Sequence, residues 1–248
     1  MAAVIRTEGL AVSFDGLPPV FEGLDLIVEQ GEFVTLVGVS GSGKSTLLRV
    51  IADLITATKG SITVEQKIDP TRRSIAMVFQ APNLMPWRRV KDNIGLGLEG
   101  LQVTDQTKHD RIEWCLNLVG LAGLGERWPY QLSGGQRQRV GIARALAVDP
   151  NILLMDEPFA AVDAITRGGL QTELLRIWEE TGKSILFVTH DIEEAVQLGN
   201  RVLLLGHSPA RIVREYLVDS KVGHEGAEFQ RMVQEVRHGL QLAMDSSK

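Results

Sequence analysis

Short apolar runs with β-type spacing dominate the first third of the chain. They lie at 9–14, 24–28, 32–38, 61–65 and 74–79. After the third run the spacing of the apolar residues changes from a β-type to a helical period. There a Gly/Ser-rich loop leads into 44–54, where Leu47, Leu48, Ile51 and Leu54 recur at helical spacing. The pattern predicts a strand, a tight loop and a helix in direct succession.

The pattern changes between about 81 and 131. This segment contains Pro82, Pro86, several closely spaced glycines and a helical run at 108–119. It predicts an inserted, mostly helical subdomain. Beyond it, predicted helices at 134–147, 164–181 and 191–199 alternate with apolar runs at 152–155, 184–188 and 201–205. Such alternation favours an α/β fold with a largely parallel sheet and helices on both faces.

The last 24 residues, from Glu225, have apolar residues at helical spacing. They are Phe229, Met232, Val233, Val236, Leu240 and Ala243. A stripe of this kind packs either on the body of its own chain or on a partner. The sequence leaves both interpretations open.

Composition narrows the functional classes. The 248 residues have a net charge of −5, which gives no electrostatic signature of nucleic-acid binding. Cys115 is the single cysteine, so an internal disulfide is excluded, and its helix-like surroundings predict a small buried hydrophobe. No apolar run approaches the ~20 residues that span a bilayer. A role in transport would therefore require separate membrane subunits.

The segment GVSGSGKS matches the phosphate-loop pattern G-x4-G-K-[ST] between a predicted strand and a predicted helix. Its glycines allow successive backbone N–H groups to face phosphate oxygens at the positive end of the helix. Lys44 is expected to reach the β- and γ-phosphates, and Ser45 to ligate Mg²⁺. The candidate nucleotide-binding residues of this loop are Gly38, Ser40, Gly41, Ser42, Gly43, Lys44, Ser45 and Thr46.

Asp156 and Glu157 end the apolar run at 152–155. The carboxyl end of a parallel strand borders the ligand crevice of α/β sheets. Asp156 is therefore expected to hold Mg²⁺ and Glu157 to polarise the attacking water as general base. Capping of the next element is the alternative for such an acidic pair.

A second glycine-rich turn, LSGGQRQRV at 132–140, also has the features of an anion site. Ser133 and Gln136 fit a capping box at a helix start. Arg137 and Arg139 oppose the helix dipole there, so carboxylates are expected beside them. The amide-rich turn would then be left for a phosphate group.

The segment Leu132–Gln136 with the following RQRVGIARAL resembles the signature of the nucleotide-binding subunits of ATP-binding cassette transporters, and the resemblance extends over essentially the whole chain. It implies a P-loop NTPase (RecA-like) core at about 1–80 and 140–220, with an N-terminal antiparallel β subdomain. A helical subdomain at about 81–139 and a C-terminal helix at about 225–244 complete the expected organisation. ATP and Mg²⁺ are the implied ligands.

The resemblance also assigns roles to single residues. Phe14 would stack on adenine, Gln80 would reach Mg²⁺ and the water, and His190 would contact the γ-phosphate. Asp163 would lie at a dimer interface. The resemblance adds Ser133, Gly134, Gly135 and Gln136 to the nucleotide site. Burial in the core for Phe14, and capping for Asp163 and His190, are the alternatives.

Two phosphate-binding loops in one chain are best explained as halves of one site, completed by a second copy. The implied partner is thus a second ATPase subunit, identical or a close paralogue. Val39 and the segment FAAVD, 159–163, depart from the common family residues without removing a chemical group.

The segment Gln80–Glu99 resembles the subfamily that serves nitrate, sulfonate, taurine or bicarbonate importers. Trp87, Arg88 and Arg89 would contact the membrane subunit there. The expected function is an importer ATPase held at the cytoplasmic face of the inner membrane by permease subunits that work with a solute-binding protein. A separately encoded exporter subunit is the alternative. A cassette acting on nucleic acid is disfavoured, because such proteins place long coiled coils between the phosphate loop and the signature, whereas Ser133 follows Lys44 by only 89 positions. A cassette acting on ribosomes is disfavoured because such proteins carry two copies in tandem and this chain has one.

Overall fold

A computed structural model describes residues 2–39, 41–65, 69–160, 162–206, 209–218 and 226–245. The chain forms two compact units, one built from Met1–Glu65 with Ser184–Lys248 and the other from Gln66–Lys183. Each unit has strands and helices of its own.

The first unit contains a three-stranded antiparallel sheet. Its strands are β1 (Ala3–Val12), β2 (Phe21–Glu29) and β4 (Lys59–Val64), in the order β2-β1-β4. Leu24, Leu26 and Val28 on β2 are buried, whereas the intervening Asp25 and Ile27 are exposed. This alternation is that of a sheet with one face on the core. The predicted run at 9–14 is only the end of β1, which begins at Ala3.

Four further strands of this unit lie in the order β7-β3-β8-β9. They are β3 (Phe33–Gly38), β7 (Ser184–Thr189), β8 (Arg201–Gly206) and β9 (Arg211–Leu217). The first three are parallel, and β9 pairs antiparallel with β8. Every residue of β3 and β7 is buried, as expected of central parallel strands. The sequence pattern did not predict β9, because charged and exposed residues interrupt its apolar positions.

The described residues of this unit also form three helices, α1 (Lys44–Ile51), α6 (Ile192–Leu198) and α7 (Ala227–Asp245). The apolar stripe of α7 packs on the same unit. Phe229, Val233 and Val236 are buried in a cluster with residues of β3, α6 and β8, and Met232 and Leu240 pack against it. The interpretation that the stripe packs on its own chain is therefore confirmed.

In the part of the second unit that the structure describes there are two parallel strands, β5 (Ile75–Val78) and β6 (Ile152–Asp156). Its helices are α2 (Val90–Gly95), α3 (Asp105–Leu118), α4 (Gly134–Ala147) and α5 (Ala164–Thr181), with short 3-10 turns at Leu96–Leu98 and Pro129–Gln131. Helix α3 begins earlier than predicted because the Thr104 hydroxyl caps it by accepting from the N–H of Thr107 at 3.1 Å. Cys115 is fully buried on α3, as predicted.

The predicted α/β class with parallel strands, an antiparallel β subdomain and a helical region is confirmed. The residue boundaries predicted for the subdomains stay predictions. Among the helices that the structure describes, none has the length and apolar character needed to cross a bilayer.

Candidate nucleotide-binding site

The phosphate loop follows β3 in the first unit, and two of its glycines adopt left-handed backbone conformations. Gly41 has φ 81° and Gly43 has φ 86°. A β-carbon on Gly43 would lie 2.6 Å from Cγ1 of Val20, so there is also no room for a side chain at this position. A β-carbon on Gly38 would lie 2.7 Å from the carbonyl oxygen of Leu205. Backbone shape and close packing thus both select glycine in this loop.

Lys44 opens α1 and is almost completely buried. Its ammonium donates to the carbonyl oxygens of Gly38 at 2.8 Å and Val39 at 3.0 Å, which holds it against the loop. Ser45 and Thr46 follow it, half-buried, in the first turn of α1. Ser40 lies outside the described residues.

The hydroxyl of Ser42 indicates that the loop is built to accept a hydrogen-bonding ligand. Ser42 is 7% exposed, and its Oγ atom has no hydrogen-bond partner among the residues that the structure describes. A buried hydroxyl without a partner is unfavourable unless a ligand or water satisfies it. Its place among loop amides and the Lys44 ammonium fits a phosphate group.

His190 leaves the same end of the strands as the phosphate loop. Strands β3 and β7 are parallel, with Val37 opposite Thr189, so Gly38 and His190 follow at adjacent strand ends. The side chain of His190 is exposed. Asp191 rather than His190 caps α6, since its carboxylate accepts from the N–H groups of Glu193 and Glu194.

In the second unit, the carboxyl ends of β5 and β6 bring together Gln80, Asp156 and Glu157. Val78 of β5 lies opposite Met155 of β6 in parallel register, which brings the residues after both strands to the same edge. Asp156 is 3% exposed, whereas Gln80 is exposed. Glu157 has φ 43°, a left-handed conformation that is rare and costly for this residue type. Such strain concentrates at functional sites.

Asp163 precedes α5, and its carbonyl oxygen accepts from the N–H of Arg167 at 2.9 Å. It therefore occupies the N-cap position of this helix. Its side chain is exposed, as a contact with a second subunit also requires.

The signature turn begins α4, and the predicted capping box is present. The Ser133 hydroxyl accepts from the N–H of Gln136 at 3.2 Å, and the Gln136 side chain accepts from the N–H of Ser133 at 2.9 Å. Ser133 and Gly134 are exposed and Gly135 is buried. At the exposed start of α4, Gly134 therefore carries no side chain that could cover its N–H group.

The partners of the two signature arginines are not the carboxylates that the sequence predicts. Arg137 donates to the carbonyl oxygen of Leu132 at 2.7 Å, and Arg139 donates to that of Val119 at 3.3 Å. The partners that the structure shows for these cations are thus carbonyl oxygens rather than carboxylates. Val119 is the C-cap of α3, where carbonyl groups without a partner inside the helix make the helix terminus partly negative.

Two residues missed by the sequence analysis join α4 to the chain around Gln80. Gln138 is 2% exposed and donates to the carbonyl oxygen of Phe79 at 3.3 Å. Arg144 donates to that of Pro82 at 2.7 Å, and burial lowers the pKa of its guanidinium. The buried polar Gln138 within an otherwise apolar helix face was the available signal.

The segment after Gln80 takes its shape from Asn93, which is fully buried on α2. Its side-chain oxygen accepts from the N–H of Met85 at 2.7 Å. Its amide group donates to the carbonyl oxygens of Arg88 at 2.9 Å and Arg89 at 3.1 Å. Trp87 lies within this fixed turn and is 71% exposed. The turn thus presents an indole ring on a rigid backbone.

The two arginines of this turn form ion pairs within the unit. Arg88 pairs with Glu99 at 2.5 Å, and Arg89 pairs with Glu126 at 2.5 Å. Hydrogen bonds from Lys91 and Arg89 hold the pKa of Glu126 below its usual range. Beside them is an open groove of about 440 Å³. Its lining residues are Trp87, Arg88, Lys91, Asp92, Gly95, Glu99 and Ile112.

Phe14 follows β1 in an exposed turn and is 43% exposed. The N–H of Leu17 donates to its carbonyl oxygen at 3.0 Å. The alternative that Phe14 belongs to the core is therefore wrong, and an exposed ring suits stacking.

The chain is similar in sequence to known proteins. Residues 21–160 match the family model described as ABC transporter. The taurine import ATP-binding protein TauB of Escherichia coli K12 is 46% identical over 199 residues, which cover 80% of this chain and 78% of that protein. TauB of Shigella flexneri is 45% identical over the same coverage.

Two solved structures are similar as well. The dimeric cassette MJ0796 in a post-hydrolysis state bound to ADP and Pi has a TM-score of 0.75 and 31% identity, covering 87% of this chain and 99% of that one. The cbiO1 protein of Clostridium perfringens, part of the cbiONQ complex, has a TM-score of 0.78 and 23% identity, covering 99% and 97%, and supports the fold alone. The family match and the identity to TauB show that the chain belongs to the ABC transporter family and is the ATP-hydrolysing subunit of a transporter.

Proposed function

We propose that this chain drives uptake of a small sulfonate such as taurine, as the ATPase subunit of an importer. The observation that carries this proposal is the 46% identity to a taurine import ATP-binding protein over 80% of the chain. Nitrate and bicarbonate, the other solutes of the resembling subfamily, are the competing cargoes. The solute itself would be selected by the permease and a solute-binding protein.

Each site residue then has a role in hydrolysis. The loop amides, Lys44 and the Ser42 hydroxyl bind the phosphates, and Phe14 stacks on adenine. Glu157 withdraws a proton from the attacking water, and His190 donates to the γ-phosphate. The orphaned Ser42 hydroxyl and the Lys44 ammonium within the loop support this assignment.

Mg²⁺ would be held by Ser45, Gln80 and Asp156. These oxygen donors are the kind that this cation prefers, and Asp156 is the buried carboxylate of the set. When bound, the ion would neutralise charge that develops on the phosphates.

The signature turn supports a head-to-tail dimer. Ser133 and Gly134 are exposed although they start a helix, and a helix start with few side chains is suited to an anion. We propose that Ser133, Gly134, Gly135 and Gln136 complete the nucleotide site of a second ATPase subunit, with Asp163 at the interface. The dimeric state of MJ0796 is consistent with this arrangement.

The turn held by Asn93 is the proposed docking surface for the permease, within Gln80–Glu99. Trp87 supplies the exposed apolar contact there, and the adjacent groove has room for a helix end. Because Arg88 and Arg89 are already paired with Glu99 and Glu126, they shape the surface before a partner binds. The permease would hold this subunit at the cytoplasmic face of the membrane. The predicted helical subdomain at about 81–139 contains this surface.

Reconstitution tests the proposal. The chain is combined in vesicles with its permease and solute-binding protein, and ATP hydrolysis is measured with taurine, another alkyl sulfonate, nitrate or bicarbonate. Sulfonates should stimulate hydrolysis and enter the vesicles, and Lys44→Ala should abolish both. Stimulation by nitrate or bicarbonate alone would contradict the solute class, and solute efflux would contradict import.

A further inference from the structure

The backbone at His190 is fixed on both sides. The Thr189 hydroxyl, at the end of β7, accepts from the N–H of Asp191 at 3.0 Å. The Asp191 carboxylate accepts from the N–H of Glu193 at 2.9 Å and so caps α6. The place of His190 therefore depends on β7, which precedes it, and on α6, which follows it.

Helix α6 has seven residues, too few for a helix to be stable in isolation. Packing must hold it. Ala195 and Val196 of α6 are buried in the cluster that contains Val233 and Val236 of α7. On β3, the Thr35 hydroxyl donates to the carbonyl oxygen of Ala195 at 3.1 Å. Helix α7 thus supplies a large part of the apolar surface against which α6 is ordered.

A glycine sets how closely α7 approaches the strands. A β-carbon on Gly239 would overlap the hydroxyl oxygen of Tyr216 on β9 and would lie 3.1 Å from Cδ1 of Leu204. The same hydroxyl donates to the carbonyl oxygen of Glu235 at 3.2 Å. Gly239 and Tyr216 therefore form a contact that has no room for a methyl group.

The phosphate loop has supports of its own. Val37, which precedes it, belongs to the cluster with α7, but its strand is hydrogen-bonded to β7 on one side and β8 on the other. Val20 packs on Gly43, and Lys44 bonds the loop carbonyl groups. Loosening α7 should thus disturb α6 more than the loop.

We propose that α7 is a positioning element for hydrolysis: by holding α6 it places His190, and Gly239 and Tyr216 are its positioning residues. This rests on the proposed role of His190. The consequence is a separation of two quantities. A change in α7 should lower the rate of hydrolysis of bound ATP while the affinity for ATP is kept, because His190 acts on the γ-phosphate and the loop does the binding.

Gly239→Ala tests this in the full chain, in the absence of other subunits and in the reconstituted complex. We expect kcat for ATP hydrolysis to fall by at least about tenfold, with the Kd for ATP within about twofold of the parent, as for a misplaced catalytic group. Adding Tyr216→Phe removes the overlapping hydroxyl and should restore kcat. Gly169→Ala is the matched control, because Gly169 is an exposed helical glycine whose β-carbon would meet no described atom within 4 Å.

If Gly239→Ala does not fold, Val236→Ala replaces it, since it trims the contact of α7 with α6 without a clash. Unchanged kcat in the folded variant would overturn the proposal. So would a parallel loss of kcat, ATP affinity and melting temperature, or failure of Tyr216→Phe to rescue. His190→Ala distinguishes the role of His190 from that of α7. Near-normal hydrolysis in this variant would overturn the role of the histidine. Loss of hydrolysis in His190→Ala together with full activity in Gly239→Ala would overturn the role of α7 alone.

Discussion

Val20 packs against the phosphate loop so closely that its Cγ1 atom lies 2.6 Å from where a β-carbon on Gly43 would stand. Gly41, two residues earlier, has a similar backbone conformation but open space around it among the described atoms. The two glycines thus separate steric crowding from backbone strain within one loop.

Gly43→Ala should weaken ATP binding and lower the free energy of unfolding by more than Gly41→Ala. Both variants incur about 1–2 kcal/mol of left-handed strain, and only Gly43→Ala also clashes. Adding Val20→Ala to Gly43→Ala should recover the steric part and leave the strain. Titration with a fluorescent ATP analogue and urea unfolding measure the two effects. Equal losses in the two single variants would contradict this account.

Glu157→Gln should keep ATP binding while hydrolysis falls by about 10²–10⁴-fold, because the amide cannot accept the proton of water. The amide keeps the size of the side chain and faces the same backbone strain. Single-turnover hydrolysis gives the rate, and size-exclusion chromatography with ATP should show a trapped dimer. Near-normal turnover would remove Glu157 as the general base.

Trp87→Ala should weaken assembly with the permease by about 2 kcal/mol, the magnitude of an interface aromatic hot spot, and spare basal ATPase activity. Trp114→Ala is the control, because Trp114 is exposed on α3 and does not line the groove beside Trp87. Co-purification yield and the Kd for the permease are the measurements. Arg88→Ala with Arg89→Ala should act in the same direction by loosening the turn. Equal behaviour of the two tryptophan variants would argue against the docking surface.

Burial raises the pKa of the Cys115 thiol to about 12. The unfolded chain loses this proton near pH 9 and the folded chain keeps it. The contribution of the buried thiol to the free energy of unfolding should therefore be fully present below pH 9. It should fall by about 1.4 kcal/mol per pH unit as pH rises from 9 toward 12. Denaturant unfolding at several pH values, with Cys115→Ala as the reference, measures this slope. The thiol should also resist alkylation in the folded protein at pH 8. An identical pH dependence in the reference variant would contradict the assignment.

Local patterns with a strong physical cause were predictable from the sequence. The buried strands around the phosphate loop, helix α4 with its capping box and the burial of Cys115 follow from apolar period and capping chemistry. Strand β9 was not predicted, because an edge strand exposes charged residues that interrupt its apolar pattern. Helix α2 escaped because six residues carry too little periodicity.

Contacts between distant parts of the chain were not predictable. Sequence spacing suggested carboxylates beside Arg137 and Arg139, but carbonyl oxygens lie there. The carbonyl of Val119 reaches Arg139 only because α3 packs against α4. The roles of Asn93 and Gln138 are hidden for the same reason. Each satisfies a turn that has no sequence signature of its own.

The single amide of Asn93 has a mechanical consequence. Because it bonds the backbone at Met85, Arg88 and Arg89, the turn that carries Trp87 is tied to α2 by several hydrogen bonds. Helix α2 packs on α4, whose first turn is the signature. A displacement of Trp87 should therefore be passed to α2 and from it to α4, the helix that begins at the signature turn.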